Sequence, residues 1–260
     1  MKAAPNYYRS QMNEPIPISI SGEVDFGVLL ERLSDDIVKA SAFFRIDKKL
    51  NECFETYGDE KSQAEFFWEM VNTAVPEAWQ SRLCRIYDQE KSALSLRTLL
   101  ATIKANMQLF GDEAVRKRLS RVNPSFAQSI APGSHLPDPK TLEGDLAAVS
   151  CGDRLVKKVV LWRGNFWAHV SPRLIIKKKR LDGSLPTYDD AFKLCERAFV
   201  VFNRYSSLFR AAVELKEYLG EKGSVESVFR LLRCGLAAGR RERAEAAERL
   251  LEATRTSNQS

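Results

Sequence analysis

The sequence predicts an all-α fold, an antiparallel helical bundle, on three observations. Apolar residues recur at spacings of three and four through most of the 260 residues, the period of a helix face. No stretch shows the strict alternation of half-buried strands, and no repeat period or glycine-rich phosphate loop breaks the pattern. The connectors are mostly short, which sets successive helices side by side.

Residues 1–22, with Pro5, Pro15 and Pro17 among polar neighbours, read as a flexible arm. From Val24 to about Tyr57, Phe26, Leu29, Leu30, Leu33, Ile37, Ala40, Phe44 and Ile46 mark a helix, and Gly58-Asp59 breaks it. A second helix carries Phe66, Phe67, Met70, Val71, Ala74, Val75, Trp79, Leu83 and Ile86 on its apolar face, with a kink or break expected at Pro76. Leu96–Met107 and Asp112–Val122 are shorter helices parted by Gly111, and the proline-rich Asn123–Pro139 is a loop. His135, in that loop, is expected to face solvent and has no assigned role. Helix resumes from about Leu142 to Ser171, restarting at Gly152-Asp153. Tyr188–Tyr218 is a long amphipathic helix whose Asp189 and Asp190 suit the positive end of its dipole. Ser224–Thr254 makes one or two more helices, rich in Arg, Glu and Ala. The domain reading is an arm (1–22), a helical bundle (23–220) and a C-terminal helical appendage (221–260).

Composition narrows the function. A hydrophobic fraction of 44% supports a real core, and the net charge of +6 permits a polyanionic partner without identifying one. The five cysteines, widely spaced and without a C-x-x-C pair, read as reduced thiols. Cys195, with no histidine near it in sequence, reads as a buried inert one. With two lone histidines, no metal site and no cofactor are expected. No apolar segment suits a signal peptide or a membrane span, so the expected location is cytoplasmic, without membrane attachment. Asp35/Asp36 and Asp189/Asp190 are sequence neighbours, so on a helix each pair diverges and makes a poor acid–base couple.

The chemistry concentrates in Leu161–Pro172, which holds Arg163, Asn165 and His169. On a helix, Leu155, Val159, Trp162, Phe166 and His169 share one face. Val156, Val160, Arg163, Trp167 and Val170 form the neighbouring stripe. Arg163 and His169 differ in direction by about 120° and flank a broad apolar face. Asn165, four residues before His169, sits beside it. Pro172 ends the segment, and a helix C-terminus favours the imidazolium, so His169 is suited to proton transfer near neutral pH. The Arg163 fork suits a phosphodiester. Basic residues surround the pair: Lys157, Lys158, Arg173, Lys177, Lys178, Lys179 and Arg180 are the candidate RNA contacts, each weak, additive and salt-sensitive. The bland alternative is a core histidine, a snorkelling arginine and a solvated basic loop. Trp162, Phe166 and Trp167 at helical spacing fit core packing better than base stacking.

These residues resemble the R-x(4–6)-H motif of the HEPN superfamily of all-α ribonucleases and RNA-binding proteins. They are most similar to its AbiU-like branch, associated with phage abortive infection. The likeness extends through Ala64–Trp68, Ser81-Arg82-Leu83 to Ile86-Tyr87-Asp88, Ser95–Leu100, Arg163–His169, and Pro186-Thr187-Tyr188 to Leu208-Phe209, covering roughly residues 24–218. The resemblance implies a HEPN-type antiparallel bundle of a few helices, to which the C-terminal helices are additional, a homodimer, and two motifs facing each other across a shared cleft. It assigns His169 to proton transfer at the ribose 2′-OH and leaving oxygen, and Arg163 to the phosphate, with no metal. Gly164 stands where the family often has a polar residue, the nearest here being Asn165.

Two functions follow. One is a metal-independent endoribonuclease, a toxin or effector in antiviral defence with an antitoxin or other defence partner. The other is a non-catalytic RNA- or protein-binding HEPN module.

Overall fold

The computed structural model describes residues 14–121, 124–128, 133, 135–163, 186–210 and 225–257. Among them every regular element is helical and none is a strand. In chain order these are α1 (Glu23–Thr56), α2 (Gly58–Ser62), α3 (Glu65–Ile86), α4 (Leu96–Ala105), a 3₁₀ turn (Met107–Phe110), α5 (Asp112–Ser120) and α6 (Pro124–Gln128). Then come α7 (Pro139–Ala148), α8 (Arg154–Trp162), α9 (Tyr188–Arg210) and α10 (Val225–Ser257). They fall into two compact units, Met1–Phe43 with Glu77–Tyr218, and Phe44–Pro76 with Leu219–Ser260.

The first unit is built on α4. Its N-terminus carries a capping box, in which Ser95 and Thr98 exchange side-chain and backbone hydrogen bonds, and every residue from Leu96 to Ile103 is buried. Also buried in this unit are Phe26, Leu30, Leu33, Ile37 and Ala40 of α1, and Leu194, Ala198, Phe202, Tyr205 and Phe209 of α9, which packs against α4. Both stripes follow the helical period, as expected. Phe26 meets the ring of Phe209 edge-on at 4.8 Å, and Phe110 closes the group at 5.7 Å from Phe26. Arg118 stacks over Phe209 at 4.0 Å and donates Nε and Nη2 to its carbonyl, satisfying a last-turn acceptor of α9.

The second unit has its own aromatic core. Phe229 of α10 is fully buried, stacked on Trp68 at 4.7 Å and on Tyr57 at 5.3 Å. Leu50 and Cys53 complete the cluster. Arg233 lies over the Tyr57 ring and pairs with the buried carboxylate of Glu60.

Several expectations need correction. Of the kink or break expected at Pro76, the break does not occur: α3 is continuous from Glu65 to Ile86. Proline removes one intrahelical bond at a cost of about 3 kcal/mol, and burial of Trp68 before it and Trp79, Leu83 and Ile86 after it offsets that loss. The residue also ends the α3 portion of the second unit. Phe66, Phe67 and Met70, placed on the apolar face by spacing, are exposed by 74%, 57% and 45%, and Trp68 is the buried residue of that turn. Gly58-Asp59 ends α1 but opens the short α2. His135 is half-buried rather than fully exposed. The Asn123–Pro139 loop contains the short α6.

Candidate functional site

The site is assembled where α8 ends against the turn that follows α3. Asp153 starts α8: its carboxylate accepts from the backbone N–H groups of Leu155 (2.9 Å) and Val156 (3.1 Å), an N-cap that satisfies two first-turn donors. It also pairs with Arg197 of α9 at 3.0 Å. Burial is the largest influence on this carboxyl and acts upward. The Arg197 bond and charge and the two backbone N–H bonds together outweigh it, and the net shift is down. Val156, Val159 and Val160 then bury one side of α8, drawn from both stripes the spacing defines.

At the far end of α8, Arg163 keeps helical dihedrals (φ −53°, ψ −50°) and turns its guanidinium to Asp88. Its Nη1 donates to Asp88 Oδ1 at 2.6 Å. The Asp88 side chain is 6% exposed and that of Arg163 33%. Asp88 Oδ1 accepts a second bond from the backbone N–H of Glu90, at 3.0 Å. Burial holds the Asp88 carboxyl above the ordinary aspartate range, against the downward pull of the Glu90 N–H and the Arg163 charge. Cys84, buried four residues earlier, has its thiol pushed up to about 12 by burial, so it stays a neutral, inert neighbour.

The turn carrying Asp88 is fastened on both sides. Gln89 Nε2 donates to the carbonyls of Tyr87 (2.8 Å) and Val149 (3.1 Å), and its Oε1 accepts from the backbone N–H of Cys151 (3.1 Å). The Tyr87 hydroxyl donates to the Leu194 carbonyl at 2.7 Å. Asp88 is therefore tied to the α7–α8 connection and to α9, the same parts that anchor the start of α8.

Of the residues singled out by sequence, Arg163 is placed by the Asp88 ion pair. Lys157 is exposed. Lys158 is drawn inward, its Nζ 2.6 Å from Asp190 Oδ2 with both side chains 13% exposed. Asn165, His169, Arg173, Lys177, Lys178, Lys179 and Arg180, with Gly164, lie outside the described residues. Trp162 packs near Trp79, ring centres 5.7 Å apart, as core packing requires. The aspartate pairs diverge as expected: Asp36 binds Arg85 while Asp35 binds Lys39, and Asp190 binds Lys158 while Asp189 binds Lys193. Cys195 is buried. Among the described residues no group of three or more His, Cys, Asp or Glu is placed to hold a metal ion, and no helix is long and apolar enough to cross a membrane.

Asp88 is the residue that sequence reasoning missed. Its only local signal is an acidic residue just past the last apolar position of α3, which is commonplace. Its partner lies 75 residues away.

Among the described residues every regular element is helical, and Arg163, held at the end of a core-packed helix, opens an R-x5-H spacing, the combination a HEPN-type bundle requires. The AbiU2 family model matches residues 23–229, and the chain belongs to that family of abortive-infection-related HEPN domains. The matched segment ends at Phe229, the residue at the centre of the second unit's core. No curated protein and no solved structure matches the chain.

Proposed function

We propose that this protein is a metal-independent endoribonuclease that acts as a toxin or effector in antiviral defence, with Arg163 and His169 of two protomers facing a shared cleft. The ribose 2′-oxygen attacks phosphorus as its proton leaves to a base. The bond from phosphorus to the 5′-oxygen breaks as that oxygen takes a proton, leaving a 2′,3′-cyclic phosphate and a 5′-hydroxyl. His169 handles the protons, Asn165 stands beside it, and Arg163 stabilises charge on the non-bridging oxygens. Lys157 and the basic run Arg173 and Lys177–Arg180 draw in the RNA backbone. The observation that carries this reading is Arg163 itself: a guanidinium anchored to a buried carboxylate yet one-third exposed, at the head of an R-x5-H spacing in a chain of the AbiU2 family.

A second reading, a non-catalytic RNA- or protein-binding module, draws on the same ion pair, because Asp88 already occupies one donor of the Arg163 fork. One experiment separates the two. The pure protein is incubated with total RNA in EDTA beside His169→Ala and Arg163→Ala. Discrete fragments with 5′-hydroxyl ends, absent from both variants, support the ribonuclease. Salt-sensitive RNA binding without any cleavage supports the module, and cleavage that survives both substitutions puts the site elsewhere.

A further inference from the structure

Two arginines of the first unit meet buried carboxylates in different ways. Arg85 gives Asp36 two bonds, from Nε at 3.1 Å and Nη2 at 2.6 Å, so a whole edge of its fork is occupied. Arg163 gives Asp88 one bond, from Nη1. A guanidinium carries five N–H donors, and no other described residue takes those of Arg163. The carboxylate that holds it cannot shift easily. It is buried, its Oδ1 is also bonded to the Glu90 N–H, and the adjacent Gln89 is bonded to Val149 and Cys151. A long side chain tethered at one tip to such a fulcrum has a narrowed range of positions while its other four N–H donors stay available. That reduces the reorganisation a freely rotating arginine needs before it can meet developing charge.

Resting on the ribonuclease reading, we infer that Asp88 is a positioning residue for that reaction: through its single bond to Nη1 it orients the Arg163 guanidinium toward the scissile phosphate. Asp88 touches no substrate. It acts only through Arg163, and its removal has no effect where Arg163 is already gone.

The test uses the full-length protein, a mixed-sequence RNA oligonucleotide with a fluorophore and quencher, and the all-deoxy oligonucleotide of the same sequence, which lacks the attacking hydroxyl. Wild type is compared with Asp88→Ala, Asp88→Asn, Arg163→Ala and the double variant Asp88→Ala/Arg163→Ala. Asp88→Ala lowers kcat by about tenfold or more with little change in KM, as loss of an orientation made for the transition state does. Asp88→Asn keeps an oxygen at Oδ1 for both Arg163 and the Glu90 N–H and recovers most of the rate. The double variant is no slower than Arg163→Ala alone, because the two changes remove one interaction.

A rate unchanged in Asp88→Ala overturns the inference. So does a loss in the double variant equal to the product of the single losses, or an Asp88→Asn as slow as Asp88→Ala while equally folded. If wild type does not cleave, the ribonuclease reading fails on its own account. Anisotropy of the deoxy oligonucleotide then decides about Asp88: equal, non-additive weakening by Asp88→Ala and Arg163→Ala upholds the orienting role, and any other pattern, including no binding, rejects it.

Discussion

Arg163 Nη1 lies 2.6 Å from Asp88 Oδ1, and the burial of the two partners is unequal: the carboxylate is 6% exposed and the guanidinium 33%. That inequality decides what each substitution does to the fold. Without the acid, a partly exposed arginine regains water; without the arginine, a buried carboxylate is stranded.

Arg163→Ala is therefore expected to cost about 1–3 kcal/mol at pH 7, with a marked pH dependence. The Asp88 carboxyl already sits above the ordinary aspartate value of 3.8, chiefly through burial, and loss of the arginine removes one of the influences that lower it. A raised folded value means that the native state holds a proton the unfolded chain has released. Stability then falls as pH rises from the unfolded value through the folded one. Urea unfolding should show a wider gap between variant and wild type at pH 7 than at pH 4, and an equal gap at both would sink the account.

The Arg85–Asp36 pair repeats the inequality, with side chains 45% and 8% exposed, although Arg82 Nε, 3.9 Å from Asp36 Oδ1, remains as a weaker second cation. Arg85→Ala is expected to destabilise by about 2 kcal/mol and Asp36→Asn by about 1 kcal/mol. Chemical denaturation of the two variants checks the order, and a larger loss in Asp36→Asn contradicts it.

Asp153→Ala removes the α8 N-cap and the partner of Arg197, at a cost of about 1–2 kcal/mol. Here the net pKa shift is downward, although burial alone pushes upward. A depressed folded value contributes stability that is fully present above the ordinary aspartate value and lost as pH falls through the depressed one. Thermal melts should separate the variant from wild type at pH 7, and the two curves should converge toward pH 3.

In the second unit, Phe229→Ala empties a fully buried site stacked between Trp68 and Tyr57 and is expected to cost about 3–5 kcal/mol. Leu250, on the same helix but 70% exposed, should tolerate alanine within about 0.5 kcal/mol. Guanidinium denaturation followed by tryptophan emission tests both, since Trp68 reports on the Phe229 site. Comparable losses at the two positions would contradict this placement of the α10 core face.

The helices were readable because each is written in a handful of neighbouring residues. Phe26 to Phe44 repeat at three and four and are buried in that register. Gly152-Asp153 marked the restart of α8, and Asp153 is its cap. Periodicity failed where a helix is apolar on more than one side: in Phe66-Phe67-Trp68 it could not tell which ring faces the core. The break expected at Pro76 does not occur, because the local cost of a proline is visible in sequence whereas the burial that offsets it is not.

The amino-acid order by itself settled that this chain is helical, roughly where the longer described helices start, and that Arg163 and His169 share the spacing of a known motif. All of these depend on residues within a turn or two of one another. Which charged groups meet was decided only in three dimensions. The Asp88–Arg163, Asp36–Arg85 and Lys158–Asp190 pairs join residues 75, 49 and 32 positions apart. Pairing at such distances comes from how whole helices pack, and no local pattern encodes it.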